Sequence, residues 1–246
     1  MDEAFVETFK RDGVAELGLV LTPAEVDLLR DSLDRHLLNE ASEAYRHSRD
    51  LADSLDGTKN RDSVRYLVDL YKFDARVYQI ICKEKLLNVA EALLGPDIQL
   101  FRDQTFYKPA AVGGEVFMHQ DNRYWHLSPP EAVIIWLALD NVTVANGCMH
   151  YLKGSHLWTD VSYRRPFNGA SVLLEAEVDK GASVAFELPV GHATVHHCCT
   201  IHWSPPNSSP FPRRCHTIAY MKAGLTAKNK PCSDKPLLRG KLPRTA

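Results

Sequence analysis

From Ile98 onward the chain is a succession of short β-forming runs, each closed by turn residues, and this spacing constrains the fold more than any other feature. The run Ile98–Tyr107 is broken by Pro109 and Gly113-Gly114. Ala132–Leu139 stops at Asp140-Asn141, and Cys148–Leu152 stops at Lys153-Gly154-Ser155-His156. Further strands are predicted at Ser171–Leu173, Ser183–Glu187, Ala193–Cys198 and Cys215–Met221. Strands at this spacing, separated by turn signals, build a sandwich or barrel rather than alternating βα units. The 246 residues fit one such domain, and 45% hydrophobic content is enough for its core.

The part before this core, about residues 1–95, reads as helical. Thr22 is a candidate N-cap, Pro23 the first helical residue and Glu25 the closing member of a capping box. Val26, Leu29, Leu33 and Leu37 then recur at helical spacing, a stripe that must pack on something. Residues from about 40 to 65 are polar without period, a long connection of the kind that forms lids, and the lid assignment extends to about residue 70. A second helix is expected from Asp74 through Leu86, Leu87, Ala90, Leu93 and Leu94, stopped by Gly95 in the left-handed region and Pro96. After the β core of about 96–222, residues 223–246 are basic and proline-bearing, a wrapped or flexible tail. No linker or repeat divides the chain, so a single domain is expected. A net charge of −2 gives no reason to invoke nucleic acid or an anionic membrane. With no apolar run of membrane-spanning length and no basic n-region before an apolar core, the expected location is the cytoplasm. No obligate protein partner is readable.

The chemistry centres on Phe117-Met118-His119-Gln120-Asp121-Asn122-Arg123-Tyr124-Trp125. In an extended strand residues two apart share a face, so His119 and Asp121 can reach one metal together. A third ligand must come from another strand, and Cys199-Thr200-Ile201-His202-Trp203-Ser204 offers His202. Two imidazoles and one carboxylate on one face of an ion, with three positions open, form the donor set of non-haem Fe(II) oxygenases. Spacing alone leaves His196 and His197 open as alternative ligands. Strand alternation puts them on opposite faces, so at most one points inward. Cys198, Cys199 and Cys215 lie near enough in sequence to bind a softer metal, although buried free thiols are the plainer reading of all six cysteines. Arg213 follows His202 by a proline-rich turn, and its guanidinium matches a carboxylate bidentately in a desolvated pocket, with Ser204 as a further donor. Arg214 is expected to be a solvated neighbour.

These blocks resemble the phytanoyl-CoA dioxygenase family of Fe(II)/2-oxoglutarate-dependent oxygenases. The resemblance runs from Thr22 to about Tyr220 through His119–Trp125, Trp136–Val142, Asn146–Met149 with Gly154–His156, and Ile201–Asn207 with Pro212–Arg214. It implies a mainly β fold with flanking helices, the double-stranded β-helix or cupin-like jelly roll. It implies His119, Asp121 and His202 as catalytic Fe(II) ligands, 2-oxoglutarate and O2 as co-substrates, and 2-oxoglutarate contacts from Arg213, Ser204, Trp136 and Lys108. Asp121 stands where related halogenases carry a small residue, so hydroxylation, or else demethylation, desaturation or ring closure, is implied instead of halogenation.

Two other functions compete with this one. A Zn hydrolase can use the same His2Asp set, but has no need of an arginine beyond the last ligand. A non-catalytic jelly-roll protein could hold a small molecule there. The substrate is expected to be a small polar metabolite or natural-product intermediate, touched by Arg123, Tyr124, Trp125 and His197. Arg61, Arg65 and Arg102 add a weak signal for a carboxylate or phosphate on it, alongside Tyr66 and Phe106.

Overall fold

In the computed structural model, residues 1–37, 39–48, 65–159, 161–164, 172–173 and 178–243 are described. In chain order the helices are α1 (Glu3–Asp12), α2 (Pro23–Leu37), α3 (Ala75–Ile81), α4 (Glu84–Leu94) and the single turn α5 (Asn122–Trp125). The strands are β1 (Val14–Leu19), β2 (Arg65–Val68), β3 (Ile98–Lys108), β4 (Val116–His119), β5 (Leu127–Ser128), β6 (Ala132–Ala138), β7 (Met149–Tyr151) and β8 (Tyr163–Arg164). They continue as β9 (Val172–Leu173), β10 (Val184–Phe186), β11 (His192–His197), β12 (His202–Ser204), β13 (Arg213–Lys222), β14 (Thr226–Ala227), β15 (Lys230–Pro231) and β16 (Leu237–Arg239).

Two antiparallel sheets carry the architecture, a jelly roll. The larger has seven strands in the order β1-β11-β6-β13-β3-β16, with β2 also paired to β3. The smaller runs β10-β7-β12-β4. The run Ala132–Ala138 is apolar throughout because both faces of β6 are covered. Val133, Ile135 and Leu137 join the cluster that holds α2, α3 and α4. Ala132, Ile134, Trp136 and Ala138 turn the other way, and Trp136 and Ala138 pack on Met149 and Tyr151 of the smaller sheet. Full burial of such side chains stabilises by about 1.5–3 kcal/mol each.

The helix α2 starts as its sequence dictates. Glu25 N donates to Thr22 Oγ1 at 3.3 Å and Thr22 N donates to Glu25 Oε2 at 2.7 Å, a reciprocal capping box. Its stripe Val26, Leu29, Leu33 and Leu37 is buried against the outer face of the large sheet. Three expectations for the flanks need correction. The amino-terminal third contains two strands, because β1 closes one edge of the large sheet on β11 and β2 extends it beside β3. A register shift between Glu16 and Gly18 interrupts the alternation of β1, which hides it from a period-two reading. The helix from Asp74 is two helices. Lys83 is extended, and its ammonium reaches Glu25 Oε1 at 2.6 Å, a contact with α2 that fixes the break. Gly95 has φ 94° but ψ −177°, so it ends α4 with a positive φ outside the left-handed helical region.

The basic tail is wrapped over residues 226–239. Gln99, fully buried on β3, donates to the carbonyls of Cys232 and Lys235 at 3.1 and 3.0 Å and accepts from Gly224 N at 2.8 Å. Of the proposed lid, residues 43–48 are helical and Arg65–Val68 form β2, while 49–64, with Arg61, lie outside the described residues. Among the described residues no helix is long and apolar enough to cross a membrane. All six cysteines are free.

Candidate metal and co-substrate site

The centre of the smaller sheet is β12, which pairs with β4 on one side and β7 on the other, placing His202 directly opposite His119. Their rings stand 4.2 Å apart. Each ring is oriented by its own strand: His119 Nδ1 lies 2.7 Å from the Phe117 carbonyl and His202 Nδ1 2.8 Å from the Thr200 carbonyl. An Nδ1–H donated to a carbonyl fixes the tautomer and leaves the Nε2 lone pair for a metal.

Asp121 arrives differently from the expectation of a shared strand. β4 ends at His119, and Asp121 has helical backbone angles, φ −57° and ψ −43°. The chain leaves the sheet because Asn122 N donates to the Cys198 carbonyl at 2.9 Å and the Gln120 amide to the Cys199 carbonyl at 2.6 Å. The turn into α5 still brings the carboxylate to the imidazoles. Asp121 Oδ1 is 3.7 Å from His119 Nε2, and Oδ2 is 3.9 Å from His202 Nε2. The three donor atoms all lie within 4.8 Å of one another. Burial works to raise the Asp121 pKa, but the imidazoles around it, His202 foremost with His119 and His196, hold it far below the usual carboxylate range. His202 is pushed down to about 3, first by burial and then by His119. An ionised carboxylate beside a neutral imidazole is the protonation state that ligation requires.

Of the two histidines left open on β11, His196 faces inward. Its Nε2 is 3.2 Å from Asp121 Oδ2 and its Nδ1 3.3 Å from the Tyr151 hydroxyl. His197, expected at the substrate, instead lies on the other face, 5.4 Å from the His156 ring, and takes the Cys199 amide on Nδ1. The alternation was readable: Ala193 and Val195 are apolar and face the helices, so Thr194 and His196 must face in. His197, Cys198 and Cys199 also have donor atoms within 4.8 Å, with the Cys198 thiol donating to the Pro130 carbonyl at 3.3 Å.

Farther along the interior the structure brings together Arg213, Ser204, Trp136 and Lys108. Arg213 begins β13 directly opposite Lys108 on β3. Its guanidinium is 2% exposed and lies 5.4 Å from the Trp136 ring. Its Nη2 donates to Ser204 Oγ at 2.8 Å and the Gly147 carbonyl at 2.9 Å, and its Nη1 to Cys215 Sγ at 3.2 Å. Its Nε is buried without a partner. Lys108 Nζ donates to Ser204 Oγ and to the Pro205 carbonyl, and burial together with the Arg213 charge pushes its pKa down to about 6. Gly147 is required here: at φ +81° a Cβ would stand 2.4 Å from the Pro205 carbonyl. A buried guanidinium cupped by neutral acceptors and facing no carboxylate among the described residues has the chemistry to take an anion.

Around the triad, Tyr124 stands 5.7 Å from the His119 ring, Trp125 is buried on Phe101 at 4.8 Å, and Arg123 is exposed on α5. Tyr66 lies 6.0 Å from Phe106, and Arg65 is exposed. Sequence reasoning missed the Gly147 carbonyl and the Tyr151 hydroxyl, because both enter through contacts between the sheets.

The family model for phytanoyl-CoA dioxygenase (PhyH) matches residues 9–215. A phytanoyl-CoA dioxygenase domain-containing protein 1 homolog of Dictyostelium discoideum is 29% identical over 159 residues, 62% of this chain and 53% of that protein. A probable alpha-ketoglutarate-dependent hypophosphite dioxygenase of Stutzerimonas stutzeri is 29% identical over 61% of this chain and 54% of its own length. The matched stretch thus spans about half the length of these curated relatives. Among solved structures, EvdO2 from Micromonospora carbonacea var. aurantiaca complexed with 2-oxoglutarate is 25% identical, covers 95% of both chains and superimposes with a TM-score of 0.73.

Proposed function

The chain belongs to the phytanoyl-CoA dioxygenase family, and from that premise we propose that it is an Fe(II)/2-oxoglutarate-dependent dioxygenase that hydroxylates a small polar metabolite or natural-product intermediate. The observation that carries this reading is the pairing of two sites in one interior: a His-Asp-His donor set and, beyond it, the buried Arg213 with no acid facing it among the described residues. A zinc hydrolase needs only the first. A binding protein has no use for imidazoles whose Nε2 atoms both point at one carboxylate.

In this reading His119, Asp121 and His202 hold the ion, and Arg213 with Ser204 takes the far carboxylate of 2-oxoglutarate. Bound Fe(II), with 2-oxoglutarate and O2, supplies the oxidising chemistry, with succinate and CO2 as co-products. The chain's own contribution is positional. The carbonyls of Phe117 and Thr200 hold the two rings in one orientation, and His196 steadies Asp121 from behind. Trp136 walls the co-substrate end and keeps the Arg213 charge out of water, which strengthens its hold on a carboxylate.

The test is anaerobic titration with Fe(II) and 2-oxoglutarate. A weak visible charge-transfer band requiring both additions is expected in the wild type and is expected to vanish in His119→Ala. Retention of tight zinc with no such band would sink the reading.

A further inference from the structure

The interior holds a second guanidinium with no acid against it among the described residues. Running back along β3 from Lys108, alternate residues keep the inner face: Phe106, Gln104 and Arg102. A register shift opposite Ala219 and Tyr220 then sets Phe101 inward as well, against Trp125. Arg102 Cζ lies 4.9 Å from the centre of the Phe101 ring, and its Nε is buried without a hydrogen-bond partner. Three carboxylates lie close enough for Arg102 to feel their charge, and each is engaged elsewhere. Asp69 pairs with Lys72 at 2.9 Å, Asp121 sits among the histidines, and buried Asp103 holds its proton up to about pH 8. Burial opposes the charge on Arg102, so the cation is held at a cost with no acid paired to it among the described residues.

A second cation comes to the same ring from the far end of the chain. Lys235 Nζ lies 5.4 Å from the Phe101 centroid, on the segment that Gln99 clamps through the Cys232 and Lys235 carbonyls. It too has no carboxylate within ion-pair distance among the described residues. This place is distinct from the co-substrate end. Arg102 and Lys108 are six residues apart on one strand, about 20 Å at the usual strand rise, too far for one small dicarboxylate to bridge.

We propose that Arg102 and Lys235 bind an oxyanion of the substrate, a carboxylate or a phosphate, beside the Phe101 ring, so that the enzyme acts on small anionic molecules. The proposal rests on the oxygenase reading for the word substrate, but the anion site stands on its own geometry.

The probes are benzoate, phenyl phosphate and the neutral benzamide, titrated calorimetrically into the full chain loaded with Ni(II) and 2-oxoglutarate. At least one anion is expected to bind at least tenfold more tightly than benzamide, and the tighter of the two identifies carboxylate or phosphate as the natural group. Arg102→Gln is expected to abolish that preference. Lys235→Gln, on the surface segment and harmless to the β3 fold, is expected to reduce it severalfold. Equal binding of anions and benzamide, or a preference that survives both substitutions, overturns the proposal. Failure of the wild type to take up 2-oxoglutarate overturns the oxygenase reading instead, and the same preference measured on the unloaded chain still decides the anion site.

Discussion

Arg213 and Arg214 are adjacent on β13, yet they stand on opposite faces of the large sheet and in opposite company. Arg214, under the helices, donates to Asp140 through Nε and Nη2 at 3.0 and 2.9 Å and to Asp34 of α2 at 3.2 Å. Arg213, inside, meets a hydroxyl, a carbonyl and a thiol. The difference extends across the sheet. On the outer face Asp103 Oδ2 and His216 Nε2 are also buried without a partner, but these two groups, 3.6 Å apart, are neutral, one keeping its proton and the other staying uncharged. On the inner face Arg213 and Arg102 keep buried Nε atoms with no partner. A charge paired within the chain holds the fold, whereas a buried cation with no acid against it among the described residues points to a ligand.

If that division is right, substitutions on the two faces should separate stability from binding. The largest effect is expected from Leu29→Ala, on the helix stripe: a loss of about 2–5 kcal/mol in denaturant unfolding, with 2-oxoglutarate affinity unchanged in the folded fraction. A parallel loss of affinity would break the comparison. Arg213→Ala should do the reverse. It removes a buried charge-assisted contact worth about 3 kcal/mol, on the order of a hundredfold in 2-oxoglutarate affinity, while Fe(II) binding and unfolding stay close to wild type.

Asp103 sharpens the outer-face half. Its folded pKa is raised, chiefly by burial, to about 8, so the native chain keeps a proton that the unfolded chain sheds above about pH 4. Stability is therefore lost as pH rises toward about 8. His216, pushed down to about 3 by burial, acts in the opposite direction below its usual value near 6.5, and Lys108, held down to about 6, acts in the opposite direction above that, so the Asp103 contribution is read as the difference between wild type and Asp103→Asn. From about pH 7 to 8 the stability advantage of the wild type over Asp103→Asn should shrink by up to about 1.4 kcal/mol per pH unit. The smallest change is expected from Arg214→Ala, about 1 kcal/mol or less, because Asp140 keeps Arg30 at 3.0 Å. Loss of 2-oxoglutarate turnover in that variant would mean that the neighbouring arginines are not functionally separate.

What the sequence disclosed was local or periodic. The apolar run of β6, the Thr22–Glu25 capping box and the α2 stripe each declare themselves within a few residues, and the structure has all three. The motif around His119 and the distant His202 were legible as residue types. What could not be read was the path between them. Asp121 turns helical because of bonds to Cys198 and Cys199, some eighty residues away, and no local pattern encodes that. Alternation on β11 set His196 and His197 on opposite faces, but the apolar Ala193 and Val195 that fix which face is inward were not used, hence His197 in place of His196. β1 and the Gln99 clamp are held by partners distant in sequence, and Arg102 was noted only as one of several arginines until the register shift beside Phe101 showed which way it faces.

The direct pairing of His119 with His202 across β4 and β12 also ties metal occupancy to the folding equilibrium. The unfolded chain scatters these ligands, so an ion seated on them binds the native state almost alone. Each increment of free ion above the dissociation constant then deepens the native basin by mass action, about 2.7 kcal/mol at a hundredfold excess. The melting temperature of this protein should accordingly report the iron supply of its surroundings, and scarcity would thin out the folded population before any ligand residue had changed.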